Sequence, residues 1–279
     1  MHQPSSHHPP GLVQSIATTH WRAELLPKSA YEASYVASAP VIGFAFEAQS
    51  GIHAFASDRR APFRAKPNHL SFLPRGCDVY SQSPQGGEYL KITLLCGNGR
   101  LAGSQCRFSN VVDIAAMRAA QALRRHFLAG PAPEPLECER LVHALVEQVA
   151  GVLDGHQRAY RAAAWMTPRR QALILELIEQ RLAESLTVGE LAASLGLSPA
   201  FFSRAFKGAF GQAPHDYIID RRLARARMLL SAGKANLAGI AQSCGFSSHA
   251  HMSAVFQARF GVAPSSLQMP QDGEKRATS

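Results

Sequence analysis

Two stretches near the end of the chain decide its fold: LAASLGLSPAFFSRAFKGAFGQAP, Leu191 to Pro214, and IAQSCGFSSHAHMSAVFQARFGVAP, Ile240 to Pro264. They are two copies of one pattern. The Gly-x-Ser landmark recurs after 49 residues, from Gly196 to Gly245, and the ending Phe-Gly-x-Ala-Pro recurs after 50. Several matched landmarks within so short a span indicate two structural units built alike.

Each copy has the order helix, tight turn, helix, over residues 187–208 and 237–258. In the first copy, Thr187 and Glu190 form a capping box, Gly196 supplies the turn, and Ser198-Pro199 opens the second helix. In a helix-turn-helix, this second helix can enter the major groove of DNA. The pattern therefore predicts two DNA-reading units in one chain.

The helices around the copies are also predicted from periodicity. The segment PHDYIIDRRLARARMLLSAG joins the copies and has one apolar face, with Gly233 as its expected end. Such a helix spans about 25 Å, so two second helices at its ends could approach the roughly 34 Å of one duplex turn. A leading helix, RRQALILELIEQRLAESL, is expected to bury Leu173, Ile174, Leu177, Ile178 and Leu182.

The front half follows another pattern. Short runs such as PVIGFAF, IHAFA, HLSFL and EYLKITLL, separated by turn residues, predict an antiparallel sheet sandwich or barrel. Two amphipathic helices follow, and Leu141, Leu145 and Val149 form a stripe that fits a core, or else a dimer contact. We predict a mobile arm (1–20), an effector or dimerisation domain (21–155), a linker (156–167), a DNA-binding domain (168–268) and a disordered tail (269–279).

Composition and charge narrow the class of protein. The chain has 279 residues, 46% of them hydrophobic, and a net charge of +9, which favours a polyanionic partner. There is neither a long apolar run nor a signal-like start, so we expect a cytoplasmic protein. The five cysteines contain no CxxC pair, which favours reduced thiols.

The repeat resembles the AraC/XylS family of bacterial transcription regulators. The resemblance rests on LTVGELAASLGLSPAFFSRAFKGAFGQAPHDYI, RRLARARMLLSAG and IAQSCGFSSHAHMSAVFQARFGVAPSSL, which together cover about residues 168–268. The front half, with PNHLSFLPRG and EYLKITLL before two helices, is similar to the cupin-like domain found ahead of many such regulators. The implied fold is α+β: a cupin-like antiparallel β domain with helices, then an all-α domain of two helix-turn-helix units joined by a linker helix.

The candidate DNA-binding residues lie mostly on the two second helices. Arg204 suits a base-edge contact because guanidinium pairs bidentately with guanine, whereas Lys207 suits phosphate. The alternative is that both are solvated surface charges. The full candidate set is Ser198, Ala200, Phe201, Ser203, Arg204, Lys207, Ser247, Ser248, His249, His251, Ser253, Gln257, Arg222 and Arg225.

The second unit departs from the family pattern. Ala254, Gln257 and Ala258 stand where the family usually has basic residues. We therefore expect this half to contribute less DNA affinity than the first half, because it offers fewer phosphate contacts.

Metal and enzyme functions are weaker alternatives. His249-Ala-His251 is an HxH, but residues two apart on a helix point about 200° from each other, and no carboxylate partner is nearby. In the front domain His53 and His69 occur singly, away from any HxH with a downstream Glu. No GxSxG, HExxH or Walker-type motif is present. The sequence therefore predicts no cofactor, no metal site and no enzyme activity.

The preferred function is an effector-responsive regulator. Its expected partners are double-stranded promoter DNA, RNA polymerase, a small-molecule effector and a second copy of the chain in a homodimer. The family mostly activates transcription, although the sequence does not give the sign. Two alternatives stay open: a ligand-independent dimeric DNA-binding protein and, less favoured, a metal-cupin enzyme fused to a DNA-binding domain. Ligand-induced stabilisation of residues 1–160 would separate the first alternative from the preferred function.

Overall fold

The computed structural model describes residues 13–96, 99–129, 135–155, 164–232 and 236–267. These residues form two compact units that divide near residue 160. The first unit carries antiparallel sheets followed by helices, and the second is helical. This confirms the α+β class and the order of its two parts.

The first unit contains two sheets in which every pair of neighbouring strands is antiparallel. One sheet has the spatial order β1 (Gln14–Ala17), β2 (Trp21–Leu26), β9 (Tyr89–Leu94), β4 (Val41–Ala45), β7 (His69–Leu73) and β10 (Phe108–Val111). The other has the order β3 (Tyr31–Val36), β8 (Asp78–Ser83), β5 (Gln49–Phe55) and β6 (Ala61–Ala65).

The four apolar runs predicted as strands became β4, β5, β7 and β9. Leu90, Ile92 and Leu94 share the buried face of β9, as their spacing predicts. The prediction of a mobile arm over residues 1–20 is wrong at the C-terminal end of the arm, since Gln14–Ala17 pair with β2 and Ile16 packs against the core. A short polar segment can still complete a sheet edge when one apolar side chain anchors it. Residues 1–12 lie outside the described part.

Helices cover the larger sheet. The helices of this unit are α1 (Gly99–Ala102), α2 (Ile114–Leu128) and α3 (Pro135–Leu153), and α2 and α3 join the strands in one core cluster. The stripe Leu141, Leu145 and Val149 is buried within this unit, so it belongs to the core. The buried carboxylate of Glu88, at the start of β9, accepts a hydrogen bond from Arg124 on α2.

The second unit is built from short helices. They are α4 (Pro168–Gln180), α5 (Val188–Ala193), α6 (Pro199–Phe210), α7 (Pro214–Ser231), α8 (Leu237–Ser243), α9 (His249–Phe260) and the 3-10 helix Pro264–Leu267. Ile174 and Ile178 of the leading helix are fully buried, but Leu173 is 49% exposed, so the predicted stripe is wrong at that residue. It lies one position outside the buried arc of a 3.6-residue helix.

The predicted linker and the expected end of α7 need separate comment. Most of the linker, residues 156–163, lies outside the described part, as does Gly233. At the linker's end, however, Met166 is only 2% exposed and Thr167 caps α4. Residues 165–167 therefore pack with the helical unit. Within the described residues, no helix is both long and apolar enough to cross a membrane.

Candidate nucleic-acid interface and internal cavity

The first helix-turn-helix unit consists of α5 and α6 and begins with the predicted capping box. The Glu190 backbone N–H donates to Thr187 Oγ1 at 3.2 Å, and the Thr187 N–H donates back to Glu190 Oε2 at 2.8 Å. The Thr187 hydroxyl also donates to Glu190 Oε2 at 2.7 Å, and this bond, the Thr187 N–H bond and a further one from Arg181 lower the pKa of Glu190 to about 2. Ser198 Oγ accepts from the Phe201 N–H and starts α6. The entry to the reading helix is thus fixed by local side chains.

The second unit, α8 and α9, repeats this design with different caps. Asn236 Oδ1 accepts from the Gly239 N–H at 2.7 Å, a cap that the sequence reasoning missed although Asn is a common N-cap residue. Ser248 Oγ accepts from the His251 N–H at 3.0 Å and starts α9. The second helices start at Pro199 and His249, 50 residues apart. The extra residue of the second copy therefore lies in its turn.

The two turn glycines are in the left-handed region but have different surroundings. Gly196 has a φ of +67°, and a Cβ there would meet nothing within 4 Å. Gly245 has a φ of +80°, and its Cβ would lie 2.7 Å from the carbonyl oxygen of Leu182. Gly196 is needed for its backbone conformation. Gly245 also lets the second turn lie against the segment that follows α4.

Buried aromatic and apolar side chains orient both second helices. Phe202 and Phe206 of α6 are fully buried, as are Met252 and Phe256 of α9. Because helix residues three to four positions apart share a face, the opposite face of each helix points to solvent. On α6 this outer face presents the exposed residues Ala200, Arg204 and Lys207, with Ser203 half-buried.

Two cations that form no ion pair with a described residue lie on the outer face of the first reading helix. Many cationic side chains of this unit are neutralised: Arg181 pairs with Glu184 and Glu190, Arg221 with Glu179, and Arg259 with Asp220. Arg204, Lys207 and Arg225, by contrast, are exposed and make no ion pair with any residue in the described part of the chain. These three cations are available for phosphates or bases.

Arg222 has a structural contact instead of the predicted exposure to DNA. Its Nε donates to the carbonyl oxygen of Leu182 at 3.0 Å, and a terminal nitrogen donates to that of Glu184 at 2.6 Å. Burial lowers the pKa of this guanidinium. The helix pattern put Arg222 outside the apolar face of α7, but the segment that follows α4 packs there. Arg222 therefore fastens the segment that follows α4 to α7.

An aromatic cluster at the start of α6 was missed by the sequence reasoning. The guanidinium of Arg170 lies 3.6 Å from the centre of the Trp165 ring and donates to the Trp165 carbonyl at 2.9 Å. Trp165 meets Phe201 edge-on, with ring centres 5.7 Å apart, and the Arg204 guanidinium lies 5.9 Å from the Phe201 ring centre. Phe201, predicted as a freely exposed DNA contact, is thus half-buried here. Its place in this cluster makes it a support for Arg204.

The second reading helix presents mainly neutral polar groups. Ser247, Ser248, His249, His251 and Gln257 are exposed, and Ser253 is half-buried. His251 Nδ1 lies 3.1 Å from Ser247 Oγ, and its ring packs edge-on against Phe246. The Gln257 amide donates to the Gly261 carbonyl at 2.8 Å. His251 and Gln257 are therefore partly held by their own unit, and His249 is less restrained.

The geometry of the HxH motif agrees with this arrangement. His249 is the first residue of α9, whereas His251 is turned toward Ser247. Within the described residues, no group of three or more His, Cys, Asp or Glu side chains is placed to hold a metal ion.

The first unit contains a cavity of about 240 Å³ between its two sheets. Apolar and aromatic side chains dominate its wall, and His53 and His69, which the sequence shows only as separate histidines, both line it. His53 stacks on Phe63 with ring centres 4.9 Å apart and planes 5° apart. Desolvation by burial lowers the pKa of His69 to about 4, so its ring is neutral near pH 7.

The comparisons with known proteins concern the helical unit. A family model described as a helix-turn-helix domain matches residues 191–269. The transcriptional regulator LumQ of Photobacterium leiognathi is 35% identical over 96 residues, which cover 34% of this chain and 39% of LumQ. An AraC-like transcription regulator of Streptomyces lividans is 30% identical over 129 residues, covering 46% of this chain and 38% of that protein.

A solved structure gives a similar alignment. It is a transcriptional regulator with an AraC-type DNA-binding domain from Chromobacterium violaceum, 30% identical, which covers 38% of this chain and 96% of that chain with a TM-score of 0.35. The chain spans about two fifths of the length of the two curated relatives. What is shared in these alignments is therefore one domain.

Proposed function

We propose that the whole chain is a sequence-specific transcription regulator of the AraC/XylS type, on the basis of its helix-turn-helix domain and the AraC-like relative that shares it. Each chain reads two successive major-groove segments of promoter DNA, one with α6 and one with α9. The observation that carries the proposal is the exposed outer face of α6, where Arg204 and Lys207 have no ion pair with a described residue. Guanidinium and ammonium groups in that state can meet guanine edges and phosphates.

The length of α7 supports reading by both units. Its 18 residues span about 27 Å, close to the roughly 34 Å between successive major-groove segments on one face of the duplex. Arg225 on α7 is exposed and serves as a phosphate contact in this proposal. Ser198 and Ser248 cap the reading helices, and their hydroxyl protons remain available for phosphate oxygens.

The cavity of the first unit supports a response to a small molecule. A mostly apolar site with a few polar groups is typical of ligand pockets, and a ligand that prefers one arrangement of the protein shifts the population toward it. The cupin-like character of this unit, a homodimer, contact with RNA polymerase and a cytoplasmic location belong to the same proposal. A ligand-independent DNA-binding protein is the second candidate, and an enzyme is the least favoured.

The test starts from a random DNA pool from which the full chain selects its own sites. We expect a selected duplex with two half-sites about one helical turn apart, each protected in a footprint. A double variant, Arg204→Ala with Lys207→Ala, should lose affinity, whereas the matched control Arg221→Ala, which removes an arginine paired with Glu179, should bind nearly as the parent chain. Failure to enrich any sequence over random DNA at physiological salt would overturn the proposal.

A further inference from the structure

The cavity of the first unit has a hydrogen-bonding character that specifies its ligand. Resting on the proposed effector response, we propose that the cavity takes a planar aromatic molecule of one or two rings that carries O–H or N–H donors and no positive charge. The inference comes from the cavity's size, its flat aromatic wall, the hydrogen bonds already made inside that wall, and its charge.

Size and shape limit the ligand to a small flat molecule. The volume of about 240 Å³ lies below the roughly 300–1,000 Å³ of pockets that hold drug-sized compounds. On one wall, His53 is stacked parallel to Phe63 and lies 4.7 Å from Phe55 in a tilted arrangement. Aromatic rings pack well against such a surface in offset or edge-on contact.

Several hydroxyl protons of the wall are already used in hydrogen bonds within the protein. The Ser71 hydroxyl donates to the Gly43 carbonyl at 3.2 Å, so it must accept the bond from the Tyr89 hydroxyl 2.9 Å away. Both protons of this pair are therefore consumed within the protein. Tyr31 and Ser81 share a hydrogen bond of 3.1 Å, which uses one of their two protons. The Tyr89 oxygen keeps a lone pair.

Acceptors, by contrast, are left over. His69 Nδ1 lies 2.6 Å from the Pro67 carbonyl oxygen, and because a carbonyl only accepts, Nδ1 carries the proton. The neutral ring then has a lone pair on Nε2. The amide oxygen of Gln49 is buried and has no hydrogen-bond partner in the described part of the chain. A buried acceptor without a donor costs free energy, and a ligand O–H or N–H removes that cost when the Gln49 amide turns toward the cavity that this residue lines.

The charges of the wall disfavour a cationic ligand. Lys91 and Arg107 both line the cavity, and Glu32 is the acidic residue of its wall. Lys91 is paired with Glu24 at 3.3 Å, whereas Arg107 makes no ion pair with a described residue and lies 4.8 Å from the Phe55 ring centre. Since Lys91 is paired with Glu24 and Glu32 offsets Arg107, the wall offers an ammonium ligand no excess negative charge to compensate for its lost hydration. A neutral phenol or aromatic N–H heterocycle carries no charge to desolvate.

The experiment uses the full chain and four naphthalene probes in titration calorimetry. 2-Naphthol carries the donor, 2-methoxynaphthalene has the same rings without it, 2-naphthylmethylammonium carries a positive charge, and 2-naphthoate carries a carboxylate. We expect 2-naphthol to bind about tenfold more tightly than its methyl ether, about the effect of one hydrogen bond, and the ammonium probe to bind most weakly.

Variants locate the effect in the cavity. Gln49→Met keeps the size of the side chain and removes the acceptor, so the preference for naphthol over its methyl ether should shrink at least threefold. The affinity for the methyl ether itself should stay unchanged, which would show that the cavity is intact. Ser34→Ala, at an exposed position of β3 outside the cavity wall, is the matched control and should leave all affinities unchanged.

Several results would overturn the ligand class. These are equal binding of naphthol and its methyl ether, tighter binding of the ammonium or carboxylate probe, or no binding of any probe by a chain that still binds its selected DNA. That last outcome leaves the DNA-binding function standing. A chain that enriches no DNA sequence contradicts the proposed function independently of the probes.

Discussion

Replacing Arg204 by alanine should weaken DNA binding more than any single replacement on the second reading helix. The side chain is exposed, has no ion pair with a described residue, and lies over the edge of Phe201, which Trp165 supports. A bidentate contact to guanine contributes about 1–3 kcal/mol, so Arg204→Ala should raise Kd by about 5- to 150-fold. Lys207→Ala, which removes the expected phosphate contact, should instead make the salt dependence of log K shallower by about 0.9.

His249→Ala gives the comparison. Its side chain offers a neutral hydrogen bond of about 0.5–1.5 kcal/mol, so Kd should rise by only about 2- to 12-fold, with no change in the salt dependence. The assay is a fluorescence anisotropy titration on the selected duplex at several salt concentrations. A second duplex, with the α6 half-site scrambled, should bind Arg204→Ala and the parent chain alike. A larger loss from His249→Ala than from Arg204→Ala would refute the argument that the first unit provides more affinity.

Three further predictions concern stability, each measured by urea unfolding. Gly245→Ala should destabilise the chain by about 2–5 kcal/mol, because a left-handed residue with a Cβ costs about 1–2 kcal/mol and overpacking adds about 1–3 kcal/mol. Gly196→Ala should cost only the left-handed contribution of about 1–2 kcal/mol. Equal losses for the two variants would contradict the close approach in the second turn. Arg222→Met should destabilise the chain by about 1–3 kcal/mol, because two backbone carbonyls lose their donor. Arg225→Met should change the free energy of unfolding by no more than about 0.5 kcal/mol and should instead weaken DNA binding. The reverse pattern would contradict the structural assignment of Arg222. For His69, the pKa in the folded state is about 4, below the value near 6.5 in the unfolded state. Between about pH 4 and 6.5 the unfolded state therefore binds more protons, and the free energy of unfolding rises with pH. His69→Phe should flatten that rise by up to about 1.4 kcal/mol per pH unit, and an unchanged slope would show that the histidine is not held neutral.

The turn chemistry of the helix-turn-helix units could be predicted from the sequence because it depends on neighbours along the chain. The Thr187–Glu190 box, the Ser198 cap and the left-handed glycines are local features that the residue type alone favours. The same holds for the alternating strand around Ile92, whose period of two gives one buried face. The comparisons add the type of the domain and leave these local arguments unchanged.

Long-range contacts could not be predicted in the same way. Arg222 looked like one more exposed cation, but its partners are the carbonyls of Leu182 and Glu184, which are about 40 residues away in the segment after α4. Trp165 was assigned to a linker because its own neighbourhood has no apolar period, yet Phe201 and Arg170 hold it against the helical unit. Single-sequence patterns carry no information on such pairs.

The sequence by itself determined that this chain has a β-rich front part, two copies of a helix-turn-helix and a cationic first reading helix, because periodicity, caps and charge are properties of short segments. Only the tertiary structure decided which charges are paired, which histidine is neutral, and that a cavity with unused acceptors lies between the sheets. Those properties depend on burial and on partners brought together from distant strands and helices, as with His69, Gln49 and Tyr89 around one cavity. The physical reason is that desolvation and hydrogen-bond satisfaction are set by neighbours in space.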